Sequence, residues 1–195
     1  MKLLNGCAKS VYIAEEFEKL GWDAWTCDIL PSEGWPKHIQ DDVLNHLNDG
    51  WDLGIFHPDC TTKANSGVRW LFERPGRYQQ MIEDCDFFNK ILTAKIPMIC
   101  VEHPIIHKYA RAHIIREYTQ ILQPHYFAGS NESKATCLWL IGLPKLQRTQ
   151  WLAKSEIQQS VWKHPPSPDR KANRARNSLA VSRTMAEQWG NLYRY

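Results

Sequence analysis

IPMICVEHP, residues 96–104, decides the fold class. Its apolar run from Ile96 to Val101 shows no polar alternation and stops at Glu102-His103-Pro104, the pattern of a strand covered on both faces. Such strands belong to parallel sheets sandwiched between helices. Upstream, WDLGIFHP (51–58) repeats the pattern with a His-Pro stop, and a helix predicted over Arg77–Ala94 carries a stripe of Met81, Cys85, Phe88 and Leu92. Nearer the start, Lys2 to Cys7 reads as a short strand. Ser10 stands at the N-cap position of a helix bearing Ile13, Ala14, Phe17 and Leu20, closed by Gly21. DAWTCDIL (23–30) gives another strand, ended by Pro31. Downstream, QILQPHYFA (120–128) and KATCLWLIG (134–142), separated by GSNES, suggest an antiparallel pair at the sheet edge. The sum is an α/β fold with a mostly parallel sheet and an antiparallel edge.

A chain of 195 residues with 43% hydrophobic and 23% charged residues is one domain, or one domain with a small appendage. No apolar run reaches the ~20 residues of a membrane span, and MKLLNGCAKS has no secretory pattern, so a cytoplasmic protein without membrane partners is expected. The six cysteines lack paired short spacings, which argues against a disulfide framework or a thiolate zinc site. His57 and Cys60, and His103 and His107, have metal-like spacings. Pro104 interrupts the second pair, however, and these read as turn and rim histidines with no metal. Charge is unevenly spread: residues 1–144 hold 14 basic against 18 acidic residues, residues 145–195 hold 10 against 3. The expected organisation is a core over 1–144, an irregular Pro-containing linker over 145–168, and a basic segment over 169–195. The last part ends in a helix from about Ser178 to Trp189 that packs back on the core through Val181, Met185 and Trp189. Arg174 and Arg176 within DRKANRARNS (169–178) suit phosphate contacts, and Trp35, Trp151 and Trp162 lie in loops where bases could stack.

Ligands of parallel α/β sheets sit beyond the carboxyl ends of the strands. Those ends supply Cys7 to Ser10, Asp28, His57-Pro58-Asp59-Cys60 and Glu102-His103-Pro104. A thiol and a carboxyl facing one crevice suit thiolate attack on an electron-poor ring whose nitrogen the carboxyl protonates or hydrogen-bonds. Cys60 stands apart from the other cysteines because it follows a strand-ending proline in a polar loop. Asp28 suits ribose hydroxyls of a nucleoside cofactor.

The series CDILPSE (27–33), IQDDVL (39–44), WDLGIFHPDC (51–60), ANSGVRWL (64–71), VEHP (101–104), KATCLWLIGLP (134–144), PPSPDR (165–170) and TMAEQWG (184–190) resembles small, often phage-encoded DNA cytosine methyltransferases of the carbon-5 type. The likeness spans nearly the whole chain. It implies a Rossmann-like methyltransferase fold, S-adenosylmethionine as cofactor, and DNA or a nucleotide as partner in the host cytoplasm. By this resemblance Cys60 adds to carbon 6 of cytosine while Glu102 engages N3. The cofactor falls to Cys7, Ser10, Asp28 (ribose), Ile29, Asp42 (adenine amino group), His57 and Pro58. The substrate falls to Asp59, Asn65, Ser66, Arg69, His103, Lys134, Thr136, Arg174 and Arg176. Three positions depart from the family pattern. Val11 replaces a glycine in the first turn, Asp59 replaces a proline before the cysteine, and His103 replaces the asparagine of Glu-Asn-Pro. They motivate an alternative, a methyltransferase-fold protein that binds or sequesters a nucleotide or nucleic acid without catalysis, as in phage anti-defence. A third reading is methylation of another acceptor, such as an exocyclic amine, oriented by Asp59.

Overall fold

In the computed structural model, which describes residues 1–8, 10–159 and 178–192, the buried run forms strand β5, Met98–Pro104. The other strands are β1 (Lys2–Gly6), β2 (Asp23–Cys27), β3 (His38–Ile39), β4 (Leu53–Phe56), β6 (Gln120–Leu122) and β7 (Thr136–Ile141). They make one seven-stranded sheet in the order β3-β2-β1-β4-β5-β7-β6. The pairs from β3 to β5 are parallel, and β7 runs antiparallel to both its neighbours. The architecture is α/β and Rossmann-like. The antiparallel pair closes that side of the sheet as expected, with β6 outermost and the buried run Thr136–Leu140 of β7 covered on both sides.

Among the described residues five α-helices accompany the sheet: α1 (Tyr12–Glu18), α2 (Trp70–Glu73), α3 (Arg77–Leu92), α4 (Lys108–Arg111) and α5 (Leu179–Trp189). The period of two along each strand sorts the core. Leu3, Ile55, Cys100 and Leu138 face α1 and α5, whereas Leu4, Phe56, Val101 and Trp139 face α3. The stripe Val181, Met185 and Trp189 of α5 is buried against the core as its spacing predicts, each side chain stabilising by roughly 1.5–3 kcal/mol. Its end is pinned by two indoles: Trp189 Nε1 donates to Pro144 O at 3.0 Å, and Trp22 Nε1 to Gly190 O at 2.9 Å. Residues 145–159 are less linker-like than their composition suggests. Leu146 is buried, Thr149 N bonds Tyr126 O at 3.0 Å, and Gln158 bridges to Glu132. Arg174, Arg176 and Trp162 lie outside the described residues.

The register places the site. Cys27, Gly6, Phe56 and Val101 sit side by side across four strands. The next residue of each strand, Asp28, Cys7, His57 and Glu102, therefore forms a row at the carboxyl ends, and the strand order reverses between β1 and β4 in the middle of that row.

Candidate active site

The first turn sits against strand β4. A Cβ on Gly6 would lie 2.5 Å from Phe56 Cδ1 and 2.7 Å from Val43 Cγ2, so only glycine fits. Among the described non-glycine residues, Cys7 alone adopts positive φ, at 55°. The expected cap at Ser10 is not formed: Val11 is the N-cap, in ordinary right-handed geometry (φ −87°, ψ −18°) with no side-chain bond. The backbone at Val11 therefore needs no glycine, and the strained residue of this turn is Cys7.

Asp28 and Asp42 converge on Cys7. Burial first, then the charges of Asp28, Cys27 and Asp42, push the Cys7 thiol far above the usual range. Each aspartate spends one oxygen locally, Asp28 Oδ1 accepting from Leu30 N and Asp42 Oδ1 from Leu44 N, both at 2.9 Å. Beside them Ile29 is 71% exposed. Two carboxylates and an exposed aliphatic side chain thus stand together at the ends of β1 and β2, while the Cβ-free face of Gly6 is filled by Phe56 and Val43.

On the other side of the row, Asn5 was not singled out by the sequence reading. It is fully buried in β1, donates from Nδ2 to Ser10 O at 3.5 Å, and places Oδ1 3.1 Å from His57 Nε2. A polar residue inside an apolar strand was its only signal. His57 Nδ1 in turn lies 3.2 Å from Glu102 Oε2, and both side chains are nearly buried. The contact is an ion-pair approach rather than an aligned hydrogen bond, since Glu102 Oε2 is buried without one. Burial acts to raise the Glu102 pKa, but His57, Lys134 and His103 outweigh it and hold the carboxyl below its usual range.

Cys60 occupies a tight turn whose carbonyl accepts from Lys63 N (3.2 Å) and Ala64 N (2.9 Å). Burial and the adjacent Asp59 charge raise its thiol pKa, while Lys63 and Lys134 act in the opposite direction. The Lys134 charge thus acts on both Cys60 and Glu102. Lys63 is the second residue the sequence did not reveal. It is 1% exposed, with Nζ donating to Asp59 O at 2.5 Å, and burial depresses its pKa against the pull of Asp84, Cys85, Asp59 and Cys60. The loop closes over it through His107 N to Lys63 O (3.0 Å), His107 Nε2 to Thr62 O (2.8 Å) and a bond from Thr62 Oγ1 to Asp84.

The expected rim histidines are interior. His103 and His107 are 0% and 2% exposed, because β5 runs to Pro104 and His103 pairs with Cys137 of β7. His107 caps α4, accepting from Ala110 N at 3.1 Å. His103 Nδ1 donates to Pro104 O at 2.8 Å, leaving Nε2 buried without an aligned partner; burial pushes its pKa to about 4. Among the described residues no group of three or more His, Cys, Asp and Glu converges as a metal site would require. No described helix is long and apolar enough to cross a membrane.

Of the remaining candidates, Pro58 is buried, Thr136 pairs with Pro104 across β5 and β7, and its hydroxyl bonds Lys134 O at 3.2 Å. Asn65 and Ser66 are exposed on a 3₁₀ turn (Asn65–Gly67), and Arg69 stacks on Trp70, on the α2 flank of the Cys60 loop. A shallow surface depression lined by Glu15, Glu18, Lys19 and Trp35 involves none of the row.

This α/β fold thus sets Asp28, Cys7, His57 and Glu102 in a row at the point where the strand order reverses, with Cys60 in the loop that follows β4. No protein-family model and no curated protein match the sequence. Among solved structures, the chain is similar to a candidate DNA modification methyltransferase encoded within an E. coli prophage, with 15% identity, TM-score 0.43, and 72% of this chain and 46% of that one covered. It is also similar to the Entamoeba histolytica methyltransferase EhMeth, with 13% identity, TM-score 0.47, and 77% and 57% covered. The chain spans about half the length of these structures.

Proposed function

We propose that the protein is an S-adenosylmethionine-dependent methyltransferase acting at carbon 5 of cytosine in DNA, with Cys60 as nucleophile and Glu102 as its acid partner. The supporting observation is Glu102 Oε2, buried in the strand-end row without an aligned hydrogen bond. A carboxylate oxygen left in that state invites a ligand donor, and the amino and N3 edge of cytosine supplies one.

Asp28, Asp42 and Ile29 would hold the cofactor beside Gly6, with Cys7, Ser10, His57 and Pro58 completing its surroundings. When bound, it supplies an electrophilic methyl group. Cys60 Sγ forms a bond to carbon 6, which makes carbon 5 nucleophilic. The proton that the Cys60 thiol gives up on addition passes by way of Glu102 to N3, drawing electrons from the ring, and the carboxylate also accepts from the exocyclic amine. After methylation, loss of the carbon 5 proton expels Cys60 and restores the ring. Lys134 and His57 keep Glu102 charged until the base arrives, Asp59, Asn65, Ser66, Arg69, His103 and Thr136 surround the substrate, and Arg174 and Arg176 contact phosphate.

Calorimetric titration with S-adenosylmethionine and its demethylated product tests the reading. Micromolar binding and loss of methyl transfer in Cys60→Ser are expected, and absence of cofactor binding overturns it. One observation favours a second reading, a non-catalytic nucleotide binder: burial and Asp59 hold the Cys60 thiol pKa up. A binder would keep its ligand affinity in Cys60→Ser.

A further inference from the structure

The core of this chain is acidic, yet residues 61–78 carry Lys63, Arg69, Arg74 and Arg77 against the single acid Glu73. The local structure spreads these charges among exposed rings. The guanidiniums of Arg69 and Arg74 both lie over the Trp70 ring, 4.0 and 4.2 Å from its centroid. Among the described residues neither has a carboxylate partner. Beside them runs a line of four rings: Tyr109 to Phe72 at 5.1 Å, Phe72 to Tyr78 at 5.9 Å, and Tyr78 to His113 at 6.5 Å. Phe72 is 66% and Tyr78 41% exposed, an unusual state for large rings. Lys108 adds a cation over Tyr109 at 5.0 Å.

This face is tied to the Cys60 turn. Arg77 Nη2 donates to Thr61 O at 3.1 Å, and Asn65 N bonds Ile105 O at 3.2 Å just past β5. Interleaved cations and exposed rings match phosphates alternating with unpaired bases. A duplex would present its phosphates but keep its bases stacked on each other.

We propose that the face formed by Arg69, Trp70, Phe72, Arg74, Tyr78 and Tyr109 binds a single-stranded segment of DNA. Bases stack on Phe72 and Tyr78, and Arg69 and Arg74 hold the phosphates between them. The proposal deepens the methyltransferase reading and rests on it for the role of this strand, which flanks the base presented to Cys60.

The test is fluorescence anisotropy of a labelled single-stranded oligodeoxynucleotide without cytosine, with no cofactor present, over a salt series. Phe72→Ala and Tyr78→Ala should each weaken binding about tenfold. Arg69→Gln combined with Arg74→Gln should lower the slope of log K against log salt by ~1.4, at ~0.7 per phosphate. Lys145→Gln, on the exposed surface after β7, should change affinity no more than twofold. Unchanged affinity in both ring variants, an unchanged slope in the arginine pair, or tighter binding of the matching duplex or RNA would each overturn the proposal. So would light scattering that showed a dimer dispersed by Phe72→Ala, because the face would then be covered by a second copy. Failure here with intact cofactor binding removes the surface and leaves the proposed reaction standing; the reverse outcome removes the reaction and leaves the surface.

Discussion

Replacing Lys63 with methionine should stabilise the protein. The ammonium is 1% exposed, and among the described residues its one hydrogen bond is to Asp59 O at 2.5 Å. Burying an ammonium costs several kcal/mol after relaxation, and a charge-assisted bond returns roughly 1.5–3 kcal/mol. The more distant Asp84 carboxylate, itself bonded to Thr62, returns about 1 kcal/mol more. Methionine keeps the length and buries no charge, so Lys63→Met should gain about 1–3 kcal/mol at pH 7. The pH dependence fixes the cause. Burial lowers the Lys63 pKa in the fold from its usual 10.5. Between the folded and unfolded values the unfolded chain binds more protons, so wild-type stability rises with pH there. The advantage of Lys63→Met should therefore be full below that window and shrink as pH climbs toward 10.5. The buried thiols, whose raised pKa values destabilise the fold at high pH, act in both proteins and cancel to first order. Urea unfolding followed by tryptophan fluorescence at pH 7 and pH 9.5 measures both quantities. A less stable methionine variant, or a gap that does not change with pH, would refute the reasoning. Lys63 also opposes the rise in the Cys60 pKa, so the stabilised variant should alkylate Cys60 more slowly, a trade of site chemistry against stability.

Asp59→Asn removes the charge that, after burial, most raises the Cys60 pKa, while an amide oxygen can still accept from Thr61 N as Oδ1 does at 2.5 Å. Iodoacetamide labelling of Cys60 at pH 8, read by peptide mass mapping, should be several-fold faster; an equal or slower rate would show that the aspartate does not act on the thiol. His57→Ala should destabilise by about 2 kcal/mol at pH 7, because the buried Glu102 carboxyl loses the His57 ring that helps hold its pKa down. In the wild type the depressed Glu102 pKa contributes stability that is present above its usual 4.5 and lost as pH falls through the lower folded value. In the variant burial raises that pKa, so the stability gap should widen from pH 4 to pH 7, and a pH-independent gap in chemical unfolding would sink the assignment.

The strands that place the site were legible because burial writes itself as composition. Ile96–Val101 and Leu53–Phe56 could not be polar while lying between two helical layers. Strand β3 was not foreseen. It is two residues long, polar in sequence, and held by Thr26 N to Lys37 O and by Thr26 Oγ1 near His38 Nδ1, contacts with no period to detect. Helices α2 and α4 are four residues each, too short for a stripe. The row Asp28, Cys7, His57 and Glu102 was readable as strand ends, but its alignment depends on register between strands distant in sequence. Lys63 left no trace, since a lysine in a polar loop reads as solvated. It is interior because His107, Asp84 and Arg77 draw the loop down over it.

The three departures from the family pattern also change meaning once placed. Val11 occupies an ordinary helical conformation, so its side chain does not strain the turn, whose demand falls instead on Cys7 and Gly6. Asp59 opposes the Cys60 thiolate, yet its own carbonyl anchors the Lys63 ammonium that favours it. The loop thus introduces a negative and a positive charge on either side of one thiol, and the net effect on Cys60 depends on how each is desolvated. His103 turns its Nδ1 donor back to Pro104 O and keeps its other ring nitrogen buried beside the Asp59 backbone, where an asparagine would offer an amide.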